Sequence, residues 1–512
     1  MFQQLPPLLD YAFLSAPDSP ETFIISRSGA VRHWQEGIGN GLPVKRREQT
    51  LPSLFVMENV SSSKWKWRKN YLPILEAGSY TLFALKDELW CKTPDGCFAY
   101  PGNKPLSEER FNAEAGNIEL FWDKWLASGR CLPPMTPALD GAWRMSLIHS
   151  RCAFWGTHCK YGVEKYGEFR ADGFPPTIIS ICNTFLAFEH TAEARELFSC
   201  YITRFVRPNG TLDYYGSSFA EYGMLLETAS RLASAPGGEA FFASLHAPLT
   251  ALCRYVYNQL NPWLTEPGSY YYLPCGSPEA DRRKDKGEYF HNAAWLCKGL
   301  NALEKAAGKW MPREELWELH HIAEVLKRRT ERAFNERRAA LNGFPPYAVH
   351  QTEAIGDHAD SVEYAYANYR YYPEMLSSGF FDKETMEAII NIRETRHGEI
   401  FGMTRFYWKD YPEELADHWT LFSYAQGLLE LRDRDRFMAL LKAHLLNYIS
   451  PDLFYAYESV TLHTTPRFAY SDWCIPAQLV LPQMLLASFH YTTADGVLLN
   501  WDGPDKDIQE LF

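Results

Sequence analysis

The hydrophobic period changes near residue 140, and the chain beyond it repeats at 3.6 residues. Leu249, Leu252, Cys253, Val256 and Leu260 fall on one helical face. So do Leu296, Leu300 and Leu303, then Leu319, Ile322, Ala323 and Leu326, then Phe437, Leu440, Leu441 and Tyr448. Each set is one apolar stripe of an amphipathic helix. Such stripes predict helices near 140–155, 175–189, 193–205, 217–233, 246–260, 291–307, 314–334, 359–377, 383–393, 411–432, 434–449 and 472–490. No sustained strand pattern separates them and no heptad runs through them, so this region reads as all-α and not as a coiled coil. The helices come in pairs. About six helical hairpins either close into a double-layered α/α toroid or stack as an open solenoid, and their spacing is too irregular for most solenoid repeats.

The first ~135 residues have another texture. Thr22–Ser26 and Ser79–Leu85 are short and β-rich, and Asp95-Gly96 and Pro101-Gly102-Asn103 punctuate them as turns. The expected layout is a β-rich N-terminal domain over 1–135 and a helical domain over 136–512, with Leu132–Pro137 as the linker. The tail Ala494–Trp501 reads as a short strand.

The net charge of −12 argues against a nucleic-acid partner. No apolar run reaches the ~18 residues of a membrane helix. The N-terminal stretch lacks a basic segment and carries Asp10 in its most apolar part, unlike a signal peptide. The 11 cysteines show no CxxC unit, and Cys182, Cys253 and Cys297 sit in apolar helix faces as small hydrophobes. Reduced thiols and a cytoplasmic setting are the expectation. A metal at Cys152, His158 and Cys159 is disfavoured by their spacing, and His320-His321 point apart on a helix. The sequence leaves a homo-oligomer open.

The chemistry concentrates in the links between helices. They hold Glu168–Gly173, Asp213–Gly216, Gly268–Asp281, the neighbourhood of Tyr369, Arg405–Trp408, Asp417-His418-Trp419 and Phe454–Ser459. Each sets carboxylates or Arg beside aromatics. Aromatic residues make up 15% of the chain, and planes beside acids suit a sugar, whose C–H faces stack and whose hydroxyls bind carboxylates. Acetal hydrolysis needs one acid to protonate the leaving oxygen and one carboxylate to activate water or attack carbon. Tyr214, Tyr215, Tyr369, Arg405 and Trp408 are candidate substrate contacts.

In motif order, residues 140–500 resemble the six-hairpin glycosidases, (α/α)6-barrel hydrolases that include glycoside hydrolase families 15 and 63. Arg170 and Asp172 stand where that group grips the terminal sugar. Ser277–Asp281, ahead of Tyr289–Trp295, stands in the place of the general acid, with Pro278-Glu279-Ala280-Asp281 replacing the group's Trp-Asp or Trp-Glu. Asp281 is favoured; Glu279, Asp285 and Glu288 remain alternatives. Glu458, after Tyr457, stands in the place of the general base, and Trp473 follows it at the last helix. The resemblance implies exo-acting hydrolysis of a glycoside with inversion and without a cofactor. The cytoplasmic setting suggests an oligosaccharide or small glycoside as substrate, no metal is expected, and Asp417, His418 and Trp419 are read as further sugar contacts.

Blander readings stand beside these. Asp281 begins a mixed-charge run through Lys286 of the kind found on solvated faces, and Asp417 could be a helix N-cap. The rival enzyme is a polysaccharide lyase or sugar epimerase on the same barrel, with Tyr369, Tyr457 or His418 as base. The third reading is a sugar-binding protein without turnover.

Overall fold

The computed structural model describes residues 11–19, 21–26, 30–39, 42–51, 65–68, 72–159, 169–216, 218–265, 273–281, 285–308, 311–418, 420–450, 453–462, 469–470 and 474–511. Its contacts divide the chain into two units. One comprises Met1–Asp172, Leu441–His490 and Asn500–Phe512; the other comprises Gly173–Leu440 and Tyr491–Leu499.

Among the described residues, ten strands come first. β1 (Tyr11–Leu14), β2 (Glu21–Ser26), β3 (Val31–Gly39) and β4 (Leu42–Leu51) form an antiparallel sheet in chain order. β5 (Trp65–Arg68), β6 (Leu72–Ala77), β7 (Tyr80–Leu85), β8 (Glu88–Thr93), β9 (Gly96–Tyr100) and β10 (Lys104–Leu106) form a second meander. The β-rich expectation for this region therefore stands, with one addition. Helix α1 (Glu108–Ala127) closes it, and Phe111 and Ala115 pack on Ile74, Phe83, Trp90 and Ala99. The Ser107 hydroxyl caps this helix by accepting from the Arg110 amide at 3.2 Å, and Glu108 and Glu109 stand in its first turn. The apolar stripe of α1 is only Phe111, Ala115, Trp122 and Leu126, narrow enough to escape a periodicity reading.

The expected helices follow in order. They are α2 (Pro137–Cys152), α3 (Pro175–Ala187), α4 (Thr191–Phe205), α5 (Phe219–Ser234), α6 (Gly238–Thr265), α7 (Phe290–Ala307) and α8 (Arg313–Ala340). Then come α9 (Val362–Tyr366), α10 (Tyr372–Ser377), α11 (Lys383–Thr395), α12 (Leu421–Leu431), α13 (Arg434–Asn447), α14 (Ile475–Gln478) and α15 (Val480–Phe489). Short links (188–190, 235–237, 308–312, 378–382, 432–433) alternate with long ones (153–174, 206–218, 266–289, 341–361, 396–420, 448–474). That alternation is the signature of helical hairpins joined by long connections.

In the second unit the helices sort by burial. α5 and α7 are buried on nearly every face, whereas α8 buries one stripe, Leu319, Ile322, Ala323, Leu326, Thr330, Ala333 and Phe334. An all-round buried helix is an inner one and a striped helix an outer one. α5 and α7 meet at two glycines. A Cβ on Gly223 would lie 2.1 Å from the Trp295 carbonyl oxygen, and one on Gly299 would lie 2.1 Å from the Gly223 carbonyl oxygen. Only glycine permits that approach.

Two expectations need correction. The helix over 411–432 starts only at Leu421; Leu415–Asp417 is a strand paired with Met403–Phe406, in register Thr404↔Asp417 and Phe406↔Leu415. Asp417 is thus a strand residue, and Thr420 is the N-cap. Pro412 interrupts the helical pattern, and Glu414, just ahead of the strand, pairs with Arg405 at 2.6 Å. The tail strand is shorter than read: Leu498–Leu499 pairs with Tyr491–Thr492 around a turn at Gly496.

The helix pairing at the glycines is testable. Gly223→Ala should destabilise the protein by about 1–3 kcal/mol through overpacking, seen as a lower urea midpoint. An unchanged midpoint would show that α5 and α7 separate without cost.

Candidate active site

Within the second unit, the long links and the inner helices bring four ionisable side chains together out of water. Arg370 is fully buried, as is Glu221 on α5. Its guanidinium lies 2.5 Å from Glu221 Oε1, 2.8 Å from Glu279 Oε2 and 2.9 Å from Glu374 Oε1. The Tyr366 hydroxyl donates to the other Glu279 oxygen at 3.2 Å. One cation thus faces three carboxylates. Burial outweighs the attraction of Arg370 and pushes Glu221 up to about 7 and Glu374 up to about 8. Burial also pushes His291, 3.8 Å from Glu374, down to about 3, so its imidazole is neutral.

Local backbone chemistry puts Arg370 there. α9 and α10 are one continuous helix interrupted by a π turn over Ala367–Tyr371, where the Tyr372 amide bonds the Ala367 carbonyl. Pro373 has no N–H, so the carbonyl of Tyr369 loses its helical partner. The Thr420 hydroxyl replaces it at 2.5 Å. The widened turn accommodates the proline and swings Arg370 inward, a local device common at functional sites.

The turn Ser277–Asp281 is gripped by the same elements. The Asn292 amide donates to the Ser277 carbonyl at 3.0 Å, and Asn292 Oδ1 accepts from the Ala220 amide at 2.9 Å. His291 Nε2 donates to the Pro278 carbonyl at 3.0 Å. The Ala280 amide donates to Glu221 Oε1 at 3.3 Å. Gly216, in the link after α4, packs against the turn with its Cβ direction 3.3 Å from the Glu279 carbonyl oxygen and 3.4 Å from that of Asp281.

Asp281 is half-buried at the end of this turn, and its carboxylate has no ion pair or hydrogen bond among the described residues. Burial first, and the charge of Asp281 next, raise the Tyr214 phenol far above its usual range. The other candidate acids are engaged differently. Glu279 is clamped as described, Glu288 accepts from the Leu273 amide at 2.9 Å, and Asp285 is exposed.

The expected substrate contacts disperse. Tyr214 and Tyr215 are half-buried and stack edge to face at 5.0 Å. Trp408 is half-buried, 4.2 Å from the Tyr411 ring and 5.5 Å from Phe406, which also meets Tyr366 and the buried Tyr369. Arg405 spends its guanidinium on Glu414 and the His397 carbonyl. Asp417 and His418 are buried. Trp419 and Trp473 lie outside the described residues, and so does the Arg170 side chain.

The first unit carries Asp172 and Glu458. Asp172 is buried and paired with His158 Nε2 at 2.8 Å. Glu458 is half-buried, and the segment before it is held by the N-terminal strands and α14. Trp67 donates to the Leu453 carbonyl at 3.0 Å, and the Tyr455 hydroxyl accepts from the Phe13 amide at 2.8 Å. Gln478 accepts from the Ala456 amide at 3.0 Å and donates to the Phe454 carbonyl at 2.9 Å. The β-rich region therefore orders the loop that carries Glu458.

Sequence reasoning missed Glu221, Arg370, Glu374, Tyr366, His291 and Asn292. The available signal was charge inside apolar helix faces, with Arg370 and Glu374 spaced i, i+4 on the helix ahead of Ser377.

No protein-family model and no curated protein matches this sequence. Among solved structures, a bacterial glucoamylase complexed with acarbose superposes at TM-score 0.51 and 10% identity, covering 93% of this chain and 85% of that one. A wild-type glycosidase superposes at TM-score 0.47 and 11% identity over 68% of this chain and 97% of that one. The glucoamylase likeness shows the fold: six helical hairpins of the (α/α)6 class with a β-rich N-terminal region, as the helix pattern and the motif order implied. Among the described residues, no helix is long and apolar enough to cross a membrane.

The buried acids have a pH signature. In the unfolded chain both glutamates titrate near 4.5, and in the folded chain they keep their protons to about 7 and about 8. The folded state binds more protons across that window, so stability falls as pH rises from the unfolded value through the folded ones. Glu374→Gln, a neutral isostere, should flatten the fall in melting temperature between pH 5 and pH 8. A slope identical to wild type would show that Glu374 is ionised throughout.

Proposed function

We propose that the chain is a glycoside hydrolase, exo-acting on an oligosaccharide or small glycoside, and that it inverts the anomeric carbon. The observation that carries this reading is Asp281: a half-buried carboxyl without a cation partner among the described residues, on a gripped turn beside Tyr214. A proton donor must be free to meet its reactant, whereas the Glu279 carboxyl is clamped between Arg370 and the Tyr366 hydroxyl. The likeness to a glucoamylase supports the same reaction class.

Asp281 is the general acid and gives its proton to the glycosidic oxygen as the C–O bond breaks. Glu458 is the general base and takes a proton from the water that attacks the anomeric carbon. The products are an alcohol and a sugar of opposite anomeric configuration. Arg170, Asp172, Tyr214, Tyr215, Trp408, Asp417, His418, Trp419 and Trp473 are the proposed sugar contacts. Tyr366, Phe406, Trp408 and Tyr411 supply aromatic planes for stacking. A cytoplasmic setting belongs to this reading, since none of the 11 cysteines forms a disulfide.

The test is a panel of aryl glycosides and short oligosaccharides, followed by released sugar and by ultraviolet absorbance. Wild type should release sugar, while Asp281→Asn and Glu458→Gln should each lose about 10²–10⁴-fold in turnover with an unchanged fold. Near-normal turnover in either variant removes that assignment. An NMR time course should show the inverted anomer first; retention would require a nucleophile. Absorbance without released sugar would mean elimination by a lyase.

A further inference from the structure

We propose that Arg370 is a positioning residue for the proton donor: with Glu221 and through Glu279, it immobilises the turn 277–281 that presents Asp281. This inference rests on the glycosidase reading for its chemistry, and on geometry alone for the immobilised turn.

The restraints converge from three helical elements. α5 contributes Glu221, which pairs with Arg370 and accepts from the Ala280 amide through the same oxygen, Oε1. α7 contributes His291 and Asn292, which bind the carbonyls of Pro278 and Ser277. The helix through the π turn contributes Arg370 and Tyr366, which bind one Glu279 oxygen each. Successive residues 277, 278, 279 and 280 are therefore each held by a different side chain, and Asp281 is the next residue. A turn held at four consecutive positions has few ways to move its fifth.

Arg370 is the common member. Its guanidinium is planar and presents separate donors in fixed directions, which a lysine ammonium cannot reproduce. Glu374 holds the Nε edge at 2.9 Å, leaving the two terminal nitrogens to Glu279 and Glu221. Three carboxylates against one buried cation leave an excess of negative charge that burial penalises. Protons retained on the cluster relieve it, so Arg370 stays locked without a second cation. Ion clusters of this kind are weak sources of stability, and apolar replacements of the whole set are often neutral. What an apolar set cannot do is hold Glu279 and Ala280 in place.

Arg370 does not touch substrate in this proposal, so its loss should act on the chemical step. Arg370→Lys should lower kcat at least tenfold with KM within twofold of wild type, and fold normally by circular dichroism. Amide hydrogen exchange across 277–281 should quicken at least tenfold in the same protein. Should Arg370→Lys fail to fold, the combined variant Arg370→Met, Glu221→Gln, Glu374→Gln makes the same test with the charges removed together. Tyr366→Phe removes one bond to Glu279 and should give a smaller kcat loss in the same direction. Unchanged kcat and unchanged exchange in a folded Arg370 variant overturn the proposal. A loss of folded protein with normal kcat per folded molecule also overturns it, because that is the mark of a structural role. If wild type hydrolyses nothing on the panel, the glycosidase reading falls. The exchange measurement then still decides whether Arg370 immobilises the turn.

Discussion

A buried guanidinium shared by three carboxylates sets the architecture of the second unit. Arg370 has no exposed surface, and its partners come from α5, from the link after α6 and from its own helix. Leaving any buried charge unpaired is costly, so each element must arrive in register for the others to be tolerated. Two local irregularities make the arrangement possible. Pro373 forces the π turn that aims Arg370 inward, and the Gly223–Gly299 contact draws α5 and α7 close enough to share the turn 277–281.

The first unit solves a similar problem with neutral groups. The loop before Glu458 is tied to β1 by Tyr455, to β5 by Trp67 and to α14 by Gln478. Tyr455 also stacks on His149 at 4.2 Å, and burial pushes that imidazole down to about 3, keeping it an uncharged plane. The N-terminal β region thus orders the loop that carries Glu458.

The two carboxylates nearest in sequence, Glu279 and Asp281, show how position separates chemistry. Alternating directions along the turn send one into the Arg370 cluster and leave the other at its end. The first is clamped by the Arg370 guanidinium on one oxygen and the Tyr366 hydroxyl on the other. The second is half-buried, with no ion pair or hydrogen bond among the described residues.

Much of this was legible in one dimension. The 3.6 period placed nearly every helix from α2 to α15, because an amphipathic helix must repeat its apolar stripe wherever it packs. The β-rich start, the buried cysteines and the candidate acids in the links were readable for the same reason: each depends on local pattern. The strand at Leu415–Asp417 was not, since its state is decided by pairing with Met403–Phe406, a non-local partner. Nor was the cluster, whose members Glu221, Glu279, Arg370 and Glu374 span more than 150 residues of chain. Sequence alone determined the order of helices and links and the residue types within them. Only the tertiary structure decided which carboxylates meet the guanidinium and which does not, because charge pairing depends on distances of a few ångströms that no local pattern encodes.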